Sequence, residues 1–337
     1  MKKILICDST LRDGNHAVAH QLSAEQIALY ARAADLAKVP VVEVGHGNGL
    51  GASSLQVGES KISDQLMLET ARENLVTSKL GIHVIPGFAT IKRDLQKAID
   101  IGVDVIRVAS HCTEADITQR HISYVRDRGI EAYGVLMMSH MAPTSLLVEE
   151  AQKMEQYGAE GIIIMDSAGA YLPSDVEKRI TALVEGLKIP VGFHAHNNLG
   201  MAIANSVTAL QAGAKILDGT ARGFGAGAGN AAVEILIAVL DKMGYTTGID
   251  LYKILDASDI AEKDVMPQVP IIKSDSIVSG LAGVFSGFSK HVTRISKEFN
   301  VDSRSVYMEL GRRKIVGGQE DIIIEVAMEL SKKRKNE

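Results

Sequence analysis

Two stretches of the chain carry the side chains best suited to chemistry. One is Asp8-Ser-Thr-Leu-Arg-Asp-Gly-Asn-His16, and the other, far downstream, is Phe193-His-Ala-His-Asn197. Side chains at i and i+2 of a strand project from one face, so His194 and His196 can reach one ion together. With Asp13 they make a set of two imidazoles and one carboxylate, which suits a divalent ion that keeps positions open for substrate. His16 follows Asp13 by three residues, near such an ion without having to bind it, where a general base for metal-assisted carbon chemistry belongs. Arg12 adjoins the carboxylate ligand. A fixed guanidinium there can hold an oxyanion such as an enolate, and its plainer reading is a structural ion pair.

These groups need a scaffold that brings distant segments to one place. Eight short β-branched runs recur, at 4–7, 41–44, 81–85, 105–108, 132–137, 161–165, 191–193 and 215–217. Between them, 24–37, 64–76, 114–128 and 144–157 show the apolar spacing of surface helices, and Gly102, Gly129, Gly158 and Gly213 stand where helix C-caps are expected. Eight βα units predict an α/β chain closed into a (β/α)8 TIM barrel, whose catalytic groups gather at the C-terminal ends of its strands. The Asp8 motif follows the first run, Asp166-Ser167 the sixth and His194 the seventh, so all face one mouth. From about 245 the pattern changes to helices without strands, as at 276–285, 290–299 and 320–330, and Pro267 and Pro270 mark a linker. The expected division is a catalytic barrel over 1–265 and a C-terminal helical domain over 266–337.

Composition narrows the function classes. A chain of 337 residues, 46% hydrophobic, 23% charged and with net charge -5, reads as globular and argues against nucleic acid as the main partner. The basic run at 332–335 reads as a solvated terminus. No apolar run reaches the roughly 18 residues of a membrane span. Cys7 and Cys112 are too few for a disulfide framework, and no apolar segment follows Lys2 and Lys3, so the expected location is cytoplasmic. With no Trp and 4% aromatics, the core must be aliphatic, as in parallel strands buried on both faces.

Several other motifs invite rival readings. The run Gly223-Phe-Gly-Ala-Gly-Ala-Gly-Asn230 superficially matches a dinucleotide fingerprint, yet no parallel strand ending in an acidic residue follows it, so a tight loop at the barrel rim is expected. Asn230 reads either as a donor to substrate or metal or as a helix N-cap. Schiff-base chemistry needs a Lys at the C-terminal end of a strand, and none stands there, which leaves a metal as the electron sink. Ser167 reads as a donor to a substrate carboxylate or as a turn former. His46, His83, His111 and His140 read as structural, and Cys112 as packing.

The segment Asp8 to Gly14 resembles the D-S-T-L-R-D-G signature of the metal-dependent lyase barrels, a family that includes 3-hydroxy-3-methylglutaryl-CoA lyase, isopropylmalate synthase and 4-hydroxy-2-oxovalerate aldolase. His111-Cys-Thr-Glu-Ala-Asp116, Leu136-Met-Met-Ser-His-Met141, residues 225–230, Glu309-Leu-Gly-Arg-Arg313 and Val316-Gly-Gly-Gln-Glu-Asp321 are similar to the aldolase branch, nearly end to end. That resemblance implies retro-aldol cleavage of a 4-hydroxy-2-oxo acid, 4-hydroxy-2-oxopentanoate in the leading case, to pyruvate and acetaldehyde. It implies Mn2+ as the ion, with Mg2+ or Co2+ as substitutes, held by Asp13, His194 and His196. By the same resemblance His16 is the base, Arg12 the stabiliser of the transition state, and Arg12, Ser167, His194 and Phe285 are substrate contacts. An acylating acetaldehyde dehydrogenase is the implied partner, met by the helical tail. Two departures stand out: Val284-Phe-Ser-Gly-Phe288 replaces the family's V-Y-S-S-F, so Phe285 lacks a hydroxyl, and His194-Ala-His-Asn-Asn198 replaces H-A-H-H-N. The alternatives are another lyase or condensing enzyme on the same barrel and a non-catalytic assembly subunit of a dehydrogenase complex.

Overall fold

The computed structural model describes residues 4–336, with side chains through 334. Eight strands, β1 (Leu5–Leu11), β2 (Val41–Val44), β3 (Lys79–Val84), β4 (Val105–His111), β5 (Glu131–Met137), β6 (Ile162–Asp166), β7 (Val191–Ala195) and β8 (Ile216–Gly219), pair in sequence order into a closed barrel. Every pairing is parallel, including β8 with β1. The α/β barrel expected from the eight runs is therefore the observed architecture.

Alternation along the strands divides their residues between two environments. Ile6, Val42, Ile82, Ile106, Ile164 and Phe193 face outward into the main apolar cluster beneath the helices. Ala109, Val135, Ile163, Met165 and Ile216 face inward and fill part of the barrel's centre, with Cys7, Val41 and Val105 below. The inner face is not wholly apolar: Glu43, His83, Arg107, His194 and Asp218 are buried there as well. Removing water from apolar surface favours the outer layer at about 25 cal/mol per Å², whereas the buried charges cost stability and must be held by partners.

β1 runs to Leu11, beyond the expected end at residue 7. The extension survives because Asp8 points outward and is satisfied: its Oδ1 accepts from the Thr10 amide at 2.9 Å and its Oδ2 from the Tyr30 hydroxyl at 2.5 Å. The helix expected over 114–128 is divided into a 3-10 turn, Ala115–Thr118, and a helix, Gln119–Arg126. Glu150 of the neighbouring helix accepts from the Ala115 amide at 2.7 Å, and Thr118 Oγ1 donates back to the Ala115 carbonyl, which favours the tighter turn.

Past an irregular segment at 266–273, helices Ser274–Ala282, Ser289–Glu298, Ser303–Arg312 and Glu320–Asn336 surround their own cluster, which includes Phe288, Val292, Val306, Leu310, Ile323 and Val326. The helix Ser303–Arg312 was not among the expected ones. Asp302 caps it by accepting from the Arg304 amide at 2.9 Å, and Val306, Tyr307 and Leu310 form its buried face. A strap at 283–288 ties this region to the barrel mouth. The Ser286 amide donates to the Ser167 carbonyl at 2.9 Å, Asn198 Nδ2 to Ser286 Oγ at 2.9 Å, and His140 Nε2 to the Gly283 carbonyl at 2.9 Å. No helix among the described residues is long and apolar enough to cross a membrane.

Candidate metal centre

Asp13, His194 and His196 converge at the C-terminal mouth of the barrel. One ligand atom from each lies within 4.8 Å of the other two, and all three residues are buried. β7 delivers the imidazoles because His194 is its penultimate residue and His196 follows its last, which keeps the i, i+2 relation. Their rings meet edge to face, with centroids 5.1 Å apart. Asp13 comes from the turn after β1, fixed by its own amide donating to the Ser9 carbonyl at 2.8 Å.

The donor set fits a cation. His194 Nε2 and His196 Nδ1 are buried with no hydrogen-bond partner among the described residues, an arrangement that costs stability unless something else meets them. His194 Nδ1 is hydrogen-bonded to Asp218 Oδ2 at 2.8 Å. Burial pushes the His196 imidazole down to about 4, so it is neutral with a lone pair to give. Burial raises the Asp13 carboxyl, but the Arg12 guanidinium leads the groups that outweigh it and hold the carboxyl well below the usual carboxylate range.

The glycine-rich loop supplies the remaining contacts to Asp13. Asn230 Nδ2 donates to Asp13 Oδ1 at 2.9 Å, the Ala226 amide donates to the same oxygen at 3.0 Å, and Asn230 Oδ1 is left buried without a partner. The helix that follows begins at Val233 after Ala232, so Asn230 does not cap it. Glycine at 225 is required by this approach, since a Cβ there would stand 2.0 Å from Asn230 Nδ2 and 2.4 Å from Asp13 Oδ1. The run is a rim loop, as expected, and its positive-φ turns at Gly223, Gly227 and Gly229 fold it against the ligand.

Arg12 is both an ion-pair partner and an available donor. Its Nε donates to Glu43 at 2.5 Å and its Nη1 to Asp13 at 2.8 Å, while Nη2 is buried and unpaired among the described residues. His16 is neutral: burial pushes its ring down to about 3, against the opposing pull of Asp13. Its ring packs over Gly47, where a Cβ would come within 2.6 Å, and meets His20 edge to face at 5.1 Å. Ser167 Oγ accepts from the Met138 amide at 2.9 Å, which leaves its own proton to donate elsewhere. Phe285, on the strap, lines a cavity of about 320 Å³ with Ile85 and Met137, and a second one with His16 and His20.

Among the other histidines, His46 is held by the Gly58 carbonyl and the Asn48 amide, and His140 by the strap. Cys112 Sγ donates to the Met138 carbonyl and is buried. His83 differs, with Nδ1 buried and unpartnered. Three charged residues beside the centre were missed from sequence: Glu43, Arg107 and Asp218. The signal was a single charge inside a β-branched run, as in Val41-Val-Glu-Val44, Val105-Ile-Arg-Val108 and Ile216-Leu-Asp218.

With the geometry in place, comparison with known proteins is specific. A family described as HMGL-like matches residues 3–261, and one described as a DmpG-like communication domain matches 270–332. A 4-hydroxy-2-oxovalerate aldolase of Pectobacterium atrosepticum is 63% identical over 99% of this chain and 98% of its own. One of Spirochaeta aurantia is 65% identical over 97% and 96%. Among solved structures, the carboxyl transferase domain of Rhizobium etli pyruvate carboxylase superposes with a TM-score of 0.81 at 15% identity, covering 99% of this chain and 61% of that one, which shows a shared fold. The chain belongs to the 4-hydroxy-2-oxovalerate aldolase family, with an HMGL-like barrel joined to a DmpG-like communication domain.

Proposed function

We propose that this chain is a metal-dependent aldolase that cleaves 4-hydroxy-2-oxopentanoate to pyruvate and acetaldehyde, with Mn2+ at Asp13, His194 and His196. The observation that carries the reading is the buried triad itself, whose two imidazole nitrogens have no partner among the described residues, beside a neutral His16 and an Arg12 whose Nη2 is likewise unpaired among them. When bound, the ion supplies a Lewis acid for the 1-carboxylate and 2-oxo oxygens of the substrate.

The chain's residues do the rest. A ring nitrogen of neutral His16 takes the proton from the 4-hydroxyl, directly or through one water. As the C3–C4 bond breaks, its electron pair moves to C3 and the 2-oxo group, and C4 becomes the carbonyl carbon of acetaldehyde. Arg12 Nη2 donates to the oxygen on which negative charge grows, where a fixed donor in a dry site is most effective. Ser167 directs its hydroxyl proton to the substrate carboxylate. Protonation of C3 then gives pyruvate. Phe285 shapes the aldehyde end without a hydroxyl to offer. In this reading the helical part from 266 onward is the unit that meets an acylating acetaldehyde dehydrogenase, in keeping with its match to a communication domain.

A panel of 4-hydroxy-2-oxo acids, incubated with purified protein and Mn2+ and assayed for pyruvate, tests the reading. Asp13→Ala and His196→Ala should lose metal-dependent cleavage. Full turnover by His196→Ala without added metal would rule the site out.

A further inference from the structure

Below the candidate triad lies an ionic chain whose middle members, Asp218, Arg107 and Glu43, the proposed reaction does not use. His194 Nδ1 meets Asp218 Oδ2 at 2.8 Å, and the same oxygen accepts from Arg107 Nη2 at 2.5 Å. Arg107 Nη1 donates to Glu43 Oε2 at 2.9 Å, Glu43 Oε1 accepts from Arg12 Nε at 2.5 Å, and Arg12 Nη1 donates to Asp13 Oδ2 at 2.8 Å. The path leaves the triad at His194 and re-enters it at Asp13, whose Oδ2 lies 3.9 Å from His194 Nε2. Every member is at most 4% exposed.

We propose that Asp218 and Arg107 are positioning residues. Asp218 fixes His194 in the tautomer that turns the Nε2 lone pair to the ion. Arg107 locks Asp218 to Glu43, so that the ligand side and the Arg12 side of the site hold one geometry. The inference rests on Asp13, His194 and His196 being an ion site.

The barrel itself supplies the alignment. Glu43, Arg107 and Asp218 occupy inward positions of β2, β4 and β8, and in the register Glu43 pairs with Gly81 on β3 while His83, two residues on, pairs with Arg107. A guanidinium is planar, so its two Nη groups reach two carboxylates at a set angle that a lysine cannot reproduce. The Asp218 carboxylate engages His194 Nδ1, which leaves Nε2, without a hydrogen-bond partner among the described residues, as the nitrogen that faces the triad. Three carboxylates, Asp13, Glu43 and Asp218, face two guanidiniums, Arg12 and Arg107. The excess negative charge lies beside the triad, where a divalent cation would meet it. An apolar filling of the same volume is often more stable than buried ion pairs, so packing alone is a poor reason for this chain of charge.

The test has two arms. In the first, 15N–1H correlation NMR of wild-type protein without metal, read on the neutral imidazole, should show His194 protonated at Nδ1 and bare at Nε2; the opposite tautomer, with hydrogen on Nε2 and Nδ1 bare, overturns the proposal, and this arm needs no variant to fold. In the second, Mn2+ binding and steady-state rates are measured side by side. Asp218→Leu, which removes the acceptor, should weaken Mn2+ binding by roughly 10- to 100-fold. Glu43→Gln should weaken Mn2+ binding less than Asp218→Leu does and lower kcat by about 10- to 100-fold, the loss of one charge-assisted hydrogen bond to Arg12. Arg107→Met should show both effects. Folded Asp218→Leu that binds Mn2+ like wild type, or variants that lose only thermal stability, would mean a structural role and refute the positioning. Wild-type protein that binds no Mn2+ would instead overturn the underlying site, while the tautomer arm still reports on Asp218.

Discussion

Replacing Gly225 by alanine adds a single methyl group and probes how closely the rim loop must approach the Asp13 carboxylate. The backbone at 225 has no left-handed φ, so the substitution is free of conformational strain and acts through space alone. The new Cβ would stand 2.0 Å from Asn230 Nδ2, about 1.4 Å inside ordinary contact at 3.4 Å, and 2.4 Å from Asp13 Oδ1. Neither neighbour is a flexible tip: Asn230 is buried and Asp13 is held by Arg12. The loop must retreat, and with it goes at least one of the two hydrogen bonds to Asp13 Oδ1, from the Ala226 amide and from Asn230 Nδ2. Partners that orient a ligand typically account for 10- to 100-fold of metal affinity, so Mn2+ affinity should fall by roughly that much. Isothermal titration with Mn2+, alongside thermal melting to confirm the fold, reads this directly. A Gly225→Ala protein with wild-type affinity and rate would refute the claim that the loop buttresses the ligand.

Other expectations are equally concrete. His16→Ala should bind Mn2+ normally and lose about 100- to 10,000-fold in kcat, since it removes a base and no ligand. Gly47→Ala, whose Cβ would come within 2.6 Å of the His16 ring, should lower kcat and spare Mn2+ affinity; a weaker metal site in either variant contradicts the separation of roles. Phe285→Tyr should shift aldehyde choice or stereochemistry without altering Mn2+ binding, measured across a panel of aldehydes in the condensation direction. For stability, burial lowers His46 from 6.5 to about 4, and the unfolded chain takes up a proton that the folded one refuses in that window. The stabilisation is complete above about pH 6.5 and is lost as pH falls toward 4, by up to about 1.4 kcal/mol per pH unit. Urea midpoints should therefore drop across this range and flatten in His46→Gln; an equal slope in the variant would remove His46 from the account.

Much of the architecture is legible in the sequence because parallel strands buried on both faces write themselves as short β-branched runs, and eight of them leave few alternatives. The i, i+2 spacing of His194 and His196 is legible for the same reason: strand alternation alone puts both on one side. What escapes is set by partners distant in sequence. The split of 114–128 into a 3-10 turn and a helix depends on Glu150, and the extension of β1 on Tyr30. The helix Ser303–Arg312 hid behind polar residues although Val306, Tyr307 and Leu310 have helical spacing. Glu43, Arg107 and Asp218 looked like isolated charges in apolar strands, since only barrel closure brings β8 beside β1 and lets Arg107 reach both carboxylates.

The most direct test of the central claim is pyruvate release from 4-hydroxy-2-oxopentanoate by protein stripped of metal with a chelator, then titrated with Mn2+. Cleavage should be absent in the stripped protein and return in proportion to Mn2+ bound at one site that Asp13→Ala destroys. Undiminished cleavage by the stripped protein, or Mn2+ rescue that persists in Asp13→Ala, would contradict it.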